Sequence, residues 1–315
     1  MSDSPQQHNI PHTPPVKKGN KGMLIGGAVG CVVVAVIVFI AVLIAIGIWW
    51  YFSNETKTWE AEEIENVESD VPVVEIADGV EYDPATKIFT SPGNAVMEMK
   101  RVAGGSFYMG ADGILSIDAK SNEYPVHRVT LSGFYIASTE VPQWLWTAVM
   151  NYNPSKNIGS DYPVEQVSRH DVRSFISRLN DITGESFTLP TEAQWEYAAR
   201  DGVENARYRY AGSDDADVVA WHKGNSYGST HRVASKRPNG LGIYDMTGNV
   251  FEWCRDSKHD YDSYASTDPC HTGGGYASGR GGSFKFEPKY CRTSFRAATP
   301  ESYTSDDLGF RLAID

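Results

Sequence analysis

The chain has 315 residues, of which 41% are hydrophobic and 12% aromatic, so it can build a sizeable buried core. Its formal net charge is −12, and no stretch carries the clustered lysines and arginines that neutralise phosphates. A nucleic-acid partner is therefore not expected.

The N-terminal part divides into a polar and an apolar segment. Residues 1–22 are rich in proline and polar residues without apolar periodicity, which predicts a disordered cytoplasmic tail. Residues 23–52 contain no charged residue, and about 20 apolar residues suffice to span a bilayer. A cleaved signal peptide is the alternative, but its apolar region has about 7 to 15 residues and ends in small side chains. This segment ends in Trp49-Trp50-Tyr51-Phe52, which favours a retained transmembrane helix with an interfacial aromatic belt.

The charges that flank the apolar segment predict its orientation. Lys17, Lys18 and Lys21 precede it, whereas the segment that follows is acidic. We therefore expect a single-pass protein of the cell membrane with a cytoplasmic N-terminus and an extracytoplasmic C-terminal domain, which would be periplasmic in a bacterium. Gly26 and Gly30 have the spacing that lets two helices pack closely as a homodimer, although glycines merely tolerated in a lipid-facing helix explain them equally well.

Residues 53–94 are acidic and poor in apolar periodicity, which predicts an extended extracytoplasmic linker. Residues 95–315 should then form the globular domain. Alternation of apolar and polar residues predicts the early strands of this domain, and the residues after Pro142 predict a short helix. The predicted strands span residues 94–102, 106–109, 129–131 and 134–137, and the helix spans 144–150.

Two further helices carry N-terminal capping signals. Ser168 with Asp171 begins a helix over residues 168–179 that places four apolar side chains on one face. Thr191 with Gln194 begins a second helix that ends before residue 202.

The segment that follows the helices is rich in Gly, Ser and Asp and predicts a surface loop over residues 211–237. His222 and His231 in that loop lack the spacing of a metal site and are predicted to be surface histidines. The glycine run at residues 273–275 precedes a strand and is therefore not predicted to be a phosphate-binding loop.

Acidic side chains flank a tight turn signal in the stretch PNGLGIYDMTGNVFEW at residues 238–253. A reversal at Gly248-Asn249 brings Asp245, Glu252 and nearby backbone carbonyls around one point, the all-oxygen set that calcium prefers. The alternative is a hairpin whose acids simply face water.

Other motifs in the same order are GGSFYMG at 104–110, FTLPTEAQWEYAAR at 187–200, RGGSF at 280–284 and LGFRLA at 308–313. From about residue 95 to 315 they resemble the formylglycine-generating enzyme (sulfatase-modifying factor) family. The resemblance implies an irregular α+β fold related to C-type lectins, with little regular secondary structure. It does not by itself imply the family's reaction.

The resemblance also implies particular site residues. Asp245, Gly248, Val250 and Glu252 match a structural calcium site, the acids through their side chains and the other two through carbonyl oxygens, so Ca²⁺ is the expected cofactor. This match favours calcium over the solvated hairpin.

The family's oxidases bind copper(I) with two cysteines five positions apart after a Gly-Gly-Ser motif, a soft-ligand pair suited to that ion. Here those positions hold Phe286 and Cys291, so copper is not expected. Ser283 matches an active-site serine of the family, although a core hydroxyl explains it equally well.

The remaining thiols predict one disulfide, from Cys254 to Cys291, because the family fold brings their strands together. Cys270, in the loop between them, is an alternative partner. A lost thiolate pair favours a non-catalytic binding or assembly module for an unknown protein or glycan ligand, without formylglycine-generating activity. The alternative is an oxidase-type enzyme acting on a cysteine or sulfur-containing substrate, with Cys291 acting alone or with Cys254 or Cys270.

Overall fold

The computed structural model describes residues 72–112, 117–204 and 207–315. The predicted tail, the predicted transmembrane segment and the first part of the predicted linker lie outside these residues, so those predictions stay predictions. Within the described ranges, no helix combines the length and the apolar character needed to cross a bilayer.

The described residues form a mixed α and β fold with short strands. The helices are α1 (Gln143–Met150), α2 (Arg169–Thr183), α3 (Glu192–Ala199) and α4 (Ala216–Val219). The strands are β1 (Val74–Ala77), β2 (Val80–Asp83), β3 (Ile88–Thr90), β4 (Val96–Val102), β5 (Gly105–Met109), β6 (His127–Leu131), β7 (Phe134–Ala137), β8 (Phe251–Ser257), β9 (Ser266–Thr267), β10 (Tyr276–Arg280), β11 (Ala297–Pro300), β12 (Leu308–Gly309) and β13 (Ala313–Ile314).

The strands pair in three sheets, which join distant parts of the chain. The orders are β1-β2-β3-β4-β7-β13, β11-β10-β8-β12 and β5-β6-β9. All pairs are antiparallel except β8 with β12 and β6 with β9. Strand β8 is an interior strand of its sheet and pairs with β10 and β12, so segments from later in the chain hold it on both edges.

The segment predicted as a linker is folded from residue 74 onward, so the predicted domain boundary at residue 95 is wrong. Strands β1 to β3 extend the first sheet and bury Val80, Tyr82 and Phe89. In β2 the apolar side chains alternate with Glu81 and Asp83, which lie on the outer face. The acidic composition of the segment masked this period of two.

The predicted capped helices are confirmed. Ser168 and Asp171 form a reciprocal capping box at α2, and Thr191 and Gln194 form one at α3. Helix α2 is longer than predicted and ends at Gly184, which adopts the left-handed conformation that glycine permits. Helix α1 lies where it was predicted, although Pro142 supplies no side-chain cap.

The core consists mainly of two clusters of buried side chains, one on either side of β8. Trp146 of α1 stacks on Phe175 of α2 at 5.1 Å between ring centroids in the first cluster. Trp195 and Tyr197 of α3 lie in the second. His222 is also buried, with its Nε2 atom 2.8 Å from Asp217, so the prediction of a surface histidine is wrong at this position.

A truncated chain tests the corrected boundary. We expect a chain that begins at residue 95 to lose most of its stability, because burial of three large side chains contributes about 1.5–3 kcal/mol each and a domain has only about 5–15 kcal/mol in total. A chain that begins at residue 72 is the control and should retain its cooperative transition. Equal urea midpoints for the two chains would contradict the assignment of β1 to β3 to the folded domain.

Candidate functional site

The turn before β8 has a backbone that requires glycine at one position. Gly248 has a φ of +79°, and a Cβ at this position would lie 2.2 Å from the Trp221 carbonyl oxygen. Asn249 and Asp245 also adopt positive φ angles, of 55° and 57°. Close approach of two backbone segments therefore fixes the turn, and the turn aims the Asp245 side chain inward.

Both predicted acids are buried, so a hairpin with solvated acids is ruled out. Asp245 is 2% exposed and Glu252 is 0% exposed. Glu252 accepts hydrogen bonds of 2.6 Å from Arg311 Nε, 2.6 Å from Arg311 Nη2 and 2.7 Å from Trp195 Nε1. Its two oxygens are thus committed to a bidentate ion pair, which leaves the Glu252 side chain poorly suited to bind calcium.

A third buried acid, Glu140, lies beside this pair and has no sequence signal that singles it out. It accepts hydrogen bonds from Asn249 Nδ2 at 3.0 Å and from the Val250 amide at 3.2 Å. Burial, and then the negative charges of Asp245 and Glu252, raise the pKa of Glu140 well above its usual range. Three carboxylates therefore face a single guanidinium.

Asp245 has one oxygen in use and one without a partner. Its Oδ2 accepts a 2.7 Å hydrogen bond from the Ala234 amide, whereas its buried Oδ1 has no hydrogen-bond partner among the described residues. Burial raises the pKa of Asp245 to about 6. The surplus negative charge can be relieved by a proton or by a cation at Oδ1.

The residues present fit a calcium ion only in part. Asp245 offers a free buried oxygen, but Glu252 is taken by Arg311, and no group of three or more acidic, histidine or cysteine side chains in the described ranges is arranged to hold a metal. The carbonyl oxygens of Gly248 and Val250 stay predicted ligands. Calcium at this turn is accordingly a proposal.

The predicted catalytic positions form a second, separate cluster. Ser283 is fully buried, and its hydroxyl donates a 2.7 Å hydrogen bond to Asp307 Oδ2. Cys291 is also fully buried, with its sulfur 3.9 Å from the carbonyl oxygens of Ser283 and Glu287. Burial raises the pKa of the Cys291 thiol to about 12. A Cβ on Gly282 would lie 2.5 Å from this sulfur, so the glycine turn closes over the thiol.

Phe286 lies in an aromatic cluster at the partly exposed edge of this region. Its ring is 36% exposed and meets Phe251 edge-on at 5.2 Å and Tyr290 at 5.9 Å. Phe295 contacts both Phe251 and Tyr290. Where the resemblance implies a first cysteine, the chain therefore presents a packed phenyl ring.

The three cysteines in the described residues are free, so the predicted disulfide from Cys254 to Cys291 is wrong. The side chain of Cys254, on β8, lies in the second core cluster. Cys291 lies instead beneath Gly282, against the backbone of Ser283. The two sulfurs thus have different surroundings, and the exposed Cys270 is bonded to neither.

The mixed α and β fold with short strands and the order of the site residues define the class of this domain. A comparison with known protein families gives the same class. Residues 84–315 match the sulfatase-modifying factor enzyme 1-like domain, and the chain belongs to that family. The match covers the glycine turn, the buried acids and the region of Ser283 and Cys291.

Individual relatives carry different names. The chain is 32% identical over 207 residues to the chaperone protein LppX of Paenibacillus barcinonensis, which covers 50% of this chain and 74% of that protein. It is 34% identical over 174 residues to a formylglycine-generating enzyme of Streptomyces coelicolor, covering 49% of this chain and only 53% of that enzyme. The structure of Treponema denticola variable protein 1 aligns with a TM-score of 0.65 and 28% identity, over 74% of this chain and 99% of that one.

The acid cluster predicts a specific pH dependence. A carboxyl whose pKa is raised in the folded state stabilises the fold below its unfolded value near 3.8 and loses that contribution as the pH rises through about 6. We expect Asp245→Asn to remove on the order of 2 kcal/mol of the stability change between these pH values, because the amide cannot ionise. Thermal melts of wild type and variant across this range measure the difference.

Adding calcium to the same thermal melts tests whether a cation, and not only a proton, neutralises Asp245. At pH 7 a calcium ion at Asp245 should raise the melting temperature of the wild type relative to chelator and leave Asp245→Asn unchanged. Asp181→Asn, at an exposed acid of α2 outside the turn, is the matched control. Identical pH profiles for wild type and Asp245→Asn would contradict the raised pKa of Asp245.

Proposed function

We propose that this domain is a non-catalytic binding or assembly module of the sulfatase-modifying factor family. The observation that carries the proposal is the pairing of a phenyl ring, Phe286, with a single buried thiol, Cys291, at the positions that match two copper-binding cysteines. Copper(I) needs at least two soft ligands in a near-linear arrangement. Here only one sulfur is available.

Burial also disfavours the thiolate form of the remaining thiol. The thiolate is the form that binds copper or attacks a disulfide, and burial holds the pKa of Cys291 at about 12. Deprotonation at pH 7 is therefore strongly disfavoured. A replacement oxidase chemistry that relies on Cys291 alone would have to overcome this cost.

A relative supports a binding role. The Paenibacillus protein is called a chaperone, and this chain covers 74% of its length. A chaperone binds other polypeptides, so a protein partner is the favoured ligand class, with a glycan as the alternative.

An oxidase-type enzyme acting on a sulfur-containing substrate is the second candidate. It is favoured by the buried hydrogen bond between Ser283 and Asp307, which lies next to Cys291 and keeps two matching active-site positions in place. This candidate needs a second sulfur ligand from the substrate itself and a change that exposes the thiol.

Copper binding and turnover separate the two candidates. We expect the full chain to bind no stoichiometric copper(I) in competition with a chromophoric chelator, and to leave the mass of a sulfatase-type cysteine peptide unchanged in the presence of oxygen and reductant. Phe286→Cys should gain copper affinity, because it restores the second thiol. Tyr303→Cys adds an exposed thiol elsewhere and serves as the control. Aldehyde formation by the wild type would refute the non-catalytic assignment.

Presentation from a membrane is part of the same proposal. It is supported by the uncharged run at residues 23–52 and by the lysines that precede it. The acidic residues that follow would then hold the folded domain away from the bilayer on the extracytoplasmic side.

Reporter fusions test this topology. A reporter fused after Asp315 should behave as exported, and one placed before Lys17 should behave as cytoplasmic, because positive flanks stay inside. Inverting the flanking charges should invert the pattern. Cytoplasmic signal from both fusions would eliminate the anchor.

A further inference from the structure

A cavity of about 580 Å³ lies between α2, the end of β8 and the glycine loop at residues 272–274. Its volume is within the range of small-molecule sites, about 300–1,000 Å³. None of its lining residues belongs to the acid cluster or to the region of Ser283 and Cys291. It therefore needs an explanation of its own.

The cavity carries surplus positive charge. Arg169, Arg173 and Arg255 line it, and among the described lining residues only Glu301 carries a carboxylate. Arg169 and Arg173 share that single carboxylate. Arg255 donates hydrogen bonds of 2.7 and 3.1 Å to Asp315, and Asp315 does not line the cavity. Each guanidinium has five N–H donors, so these contacts leave donors for a further anion.

Helix α2 presents its cavity-facing residues on one side. Arg169, Arg173, Ser177 and Asn180 follow at intervals of three or four, the spacing that aligns side chains along one face. Arg169 is 4% exposed and holds the wall in place, whereas the Arg173 side chain is 52% exposed and can meet a ligand through the donors that its two hydrogen bonds to Glu301 leave unused.

The lining also includes the glycine loop, for which the sequence gave no functional signal. Gly273 and Gly274 have φ angles of +103° and +141°, which side chains rarely adopt. Their amides donate no hydrogen bond within the described part of the chain, while the carbonyls of His271 and Tyr276 on either side accept from Ser257 and Lys258. Both glycines line the cavity together with the arginines of α2, and backbone N–H groups without a partner among the described residues suit an anion.

The rest of the lining is rich in hydroxyl groups. The side chains of Ser177, Thr188, Ser257 and Thr272 have no hydrogen-bond partner within the described residues. Ile176 and Leu189 add small apolar surfaces. Unpaired hydroxyls beside short apolar patches suit a polyhydroxylated body, and a bare inorganic anion would leave them unused.

We propose that this cavity binds an acidic sugar, with its carboxylate or sulfate held by Arg173 and the amides of Gly273 and Gly274, and its hydroxyls held by the serine and threonine side chains. The proposal rests on the binding role assigned to the domain and names an acidic glycan as its ligand, but it does not depend on whether the oxidase chemistry is lost.

Matched ligands test the proposal with the full chain. The probe is a disaccharide that ends in glucuronate, compared with the neutral disaccharide that ends in glucose, by calorimetry or ligand-observed NMR at low salt. We expect the acidic disaccharide to bind at least about tenfold more tightly than the neutral one, with an affinity that falls as salt is raised.

Matched variants assign the binding to this cavity. Arg173→Gln should weaken binding of the acidic disaccharide about tenfold, since one charge-assisted contact is lost. Arg178→Gln, at an exposed arginine of the same helix outside the lining, should leave it unchanged. Equal melting temperatures for the two variants show that the change is local, and Phe286→Cys should bind like the wild type.

Several results would overturn the proposal. The first two are an absence of binding and an equal affinity for the two disaccharides. The third is that inorganic sulfate competes for the cavity as effectively as the acidic disaccharide does. The fourth is an equal loss of affinity in Arg173→Gln and Arg178→Gln. Copper binding and peptide turnover are measured with other probes. A failure of the sugar to bind is therefore distinguishable from a failure of the non-catalytic assignment.

Discussion

The fold depends on one buried ion pair, between Glu252 of β8 and Arg311 near the C-terminal end. Both side chains are 0% exposed. Beyond the carboxylate, Arg311 donates 3.0 Å hydrogen bonds to the carbonyl oxygens of Ala137 and Tyr244. One guanidinium thus joins β7, the turn before β8 and the last strands. Removing one partner of such a pair costs about 3–5 kcal/mol, because the other charge is left buried and unpaired.

Buried pairs of arginine and glutamate also join other segments, where the strands are too short to hold the sheets together. Glu192 at the start of α3 accepts hydrogen bonds from both Arg280 and Arg296, and Arg292 pairs with Glu123. In each case a fully desolvated carboxylate selects one geometry for segments that are far apart in sequence. Arginine suits this role because its planar fork satisfies several acceptors at once.

These buried ion pairs hold the framework without help from the side chains of Phe286 and Cys291. Within the described residues, the pair of Glu252 and Arg311 makes no hydrogen bond to Phe286 or Cys291, so the pair does not depend on which residue occupies position 286. The phenyl ring gains aromatic neighbours instead. Scaffold and chemistry are therefore physically separable in this domain, which is why membership of the family does not establish the reaction.

Local signals in the sequence determined the local structure: the capping residues Ser168 and Thr191 begin helices α2 and α3, and the motif order identified the family. Capping signals act within a few residues, so they can be recognised without knowledge of the tertiary structure. The sequence did not reveal that Glu140 lies beside Asp245, that Cys254 and Cys291 are apart, or that the glycine loop faces arginines of α2. Only the tertiary structure decided these, because each depends on contacts between residues far apart in the chain, and burial then sets the charge that each group carries.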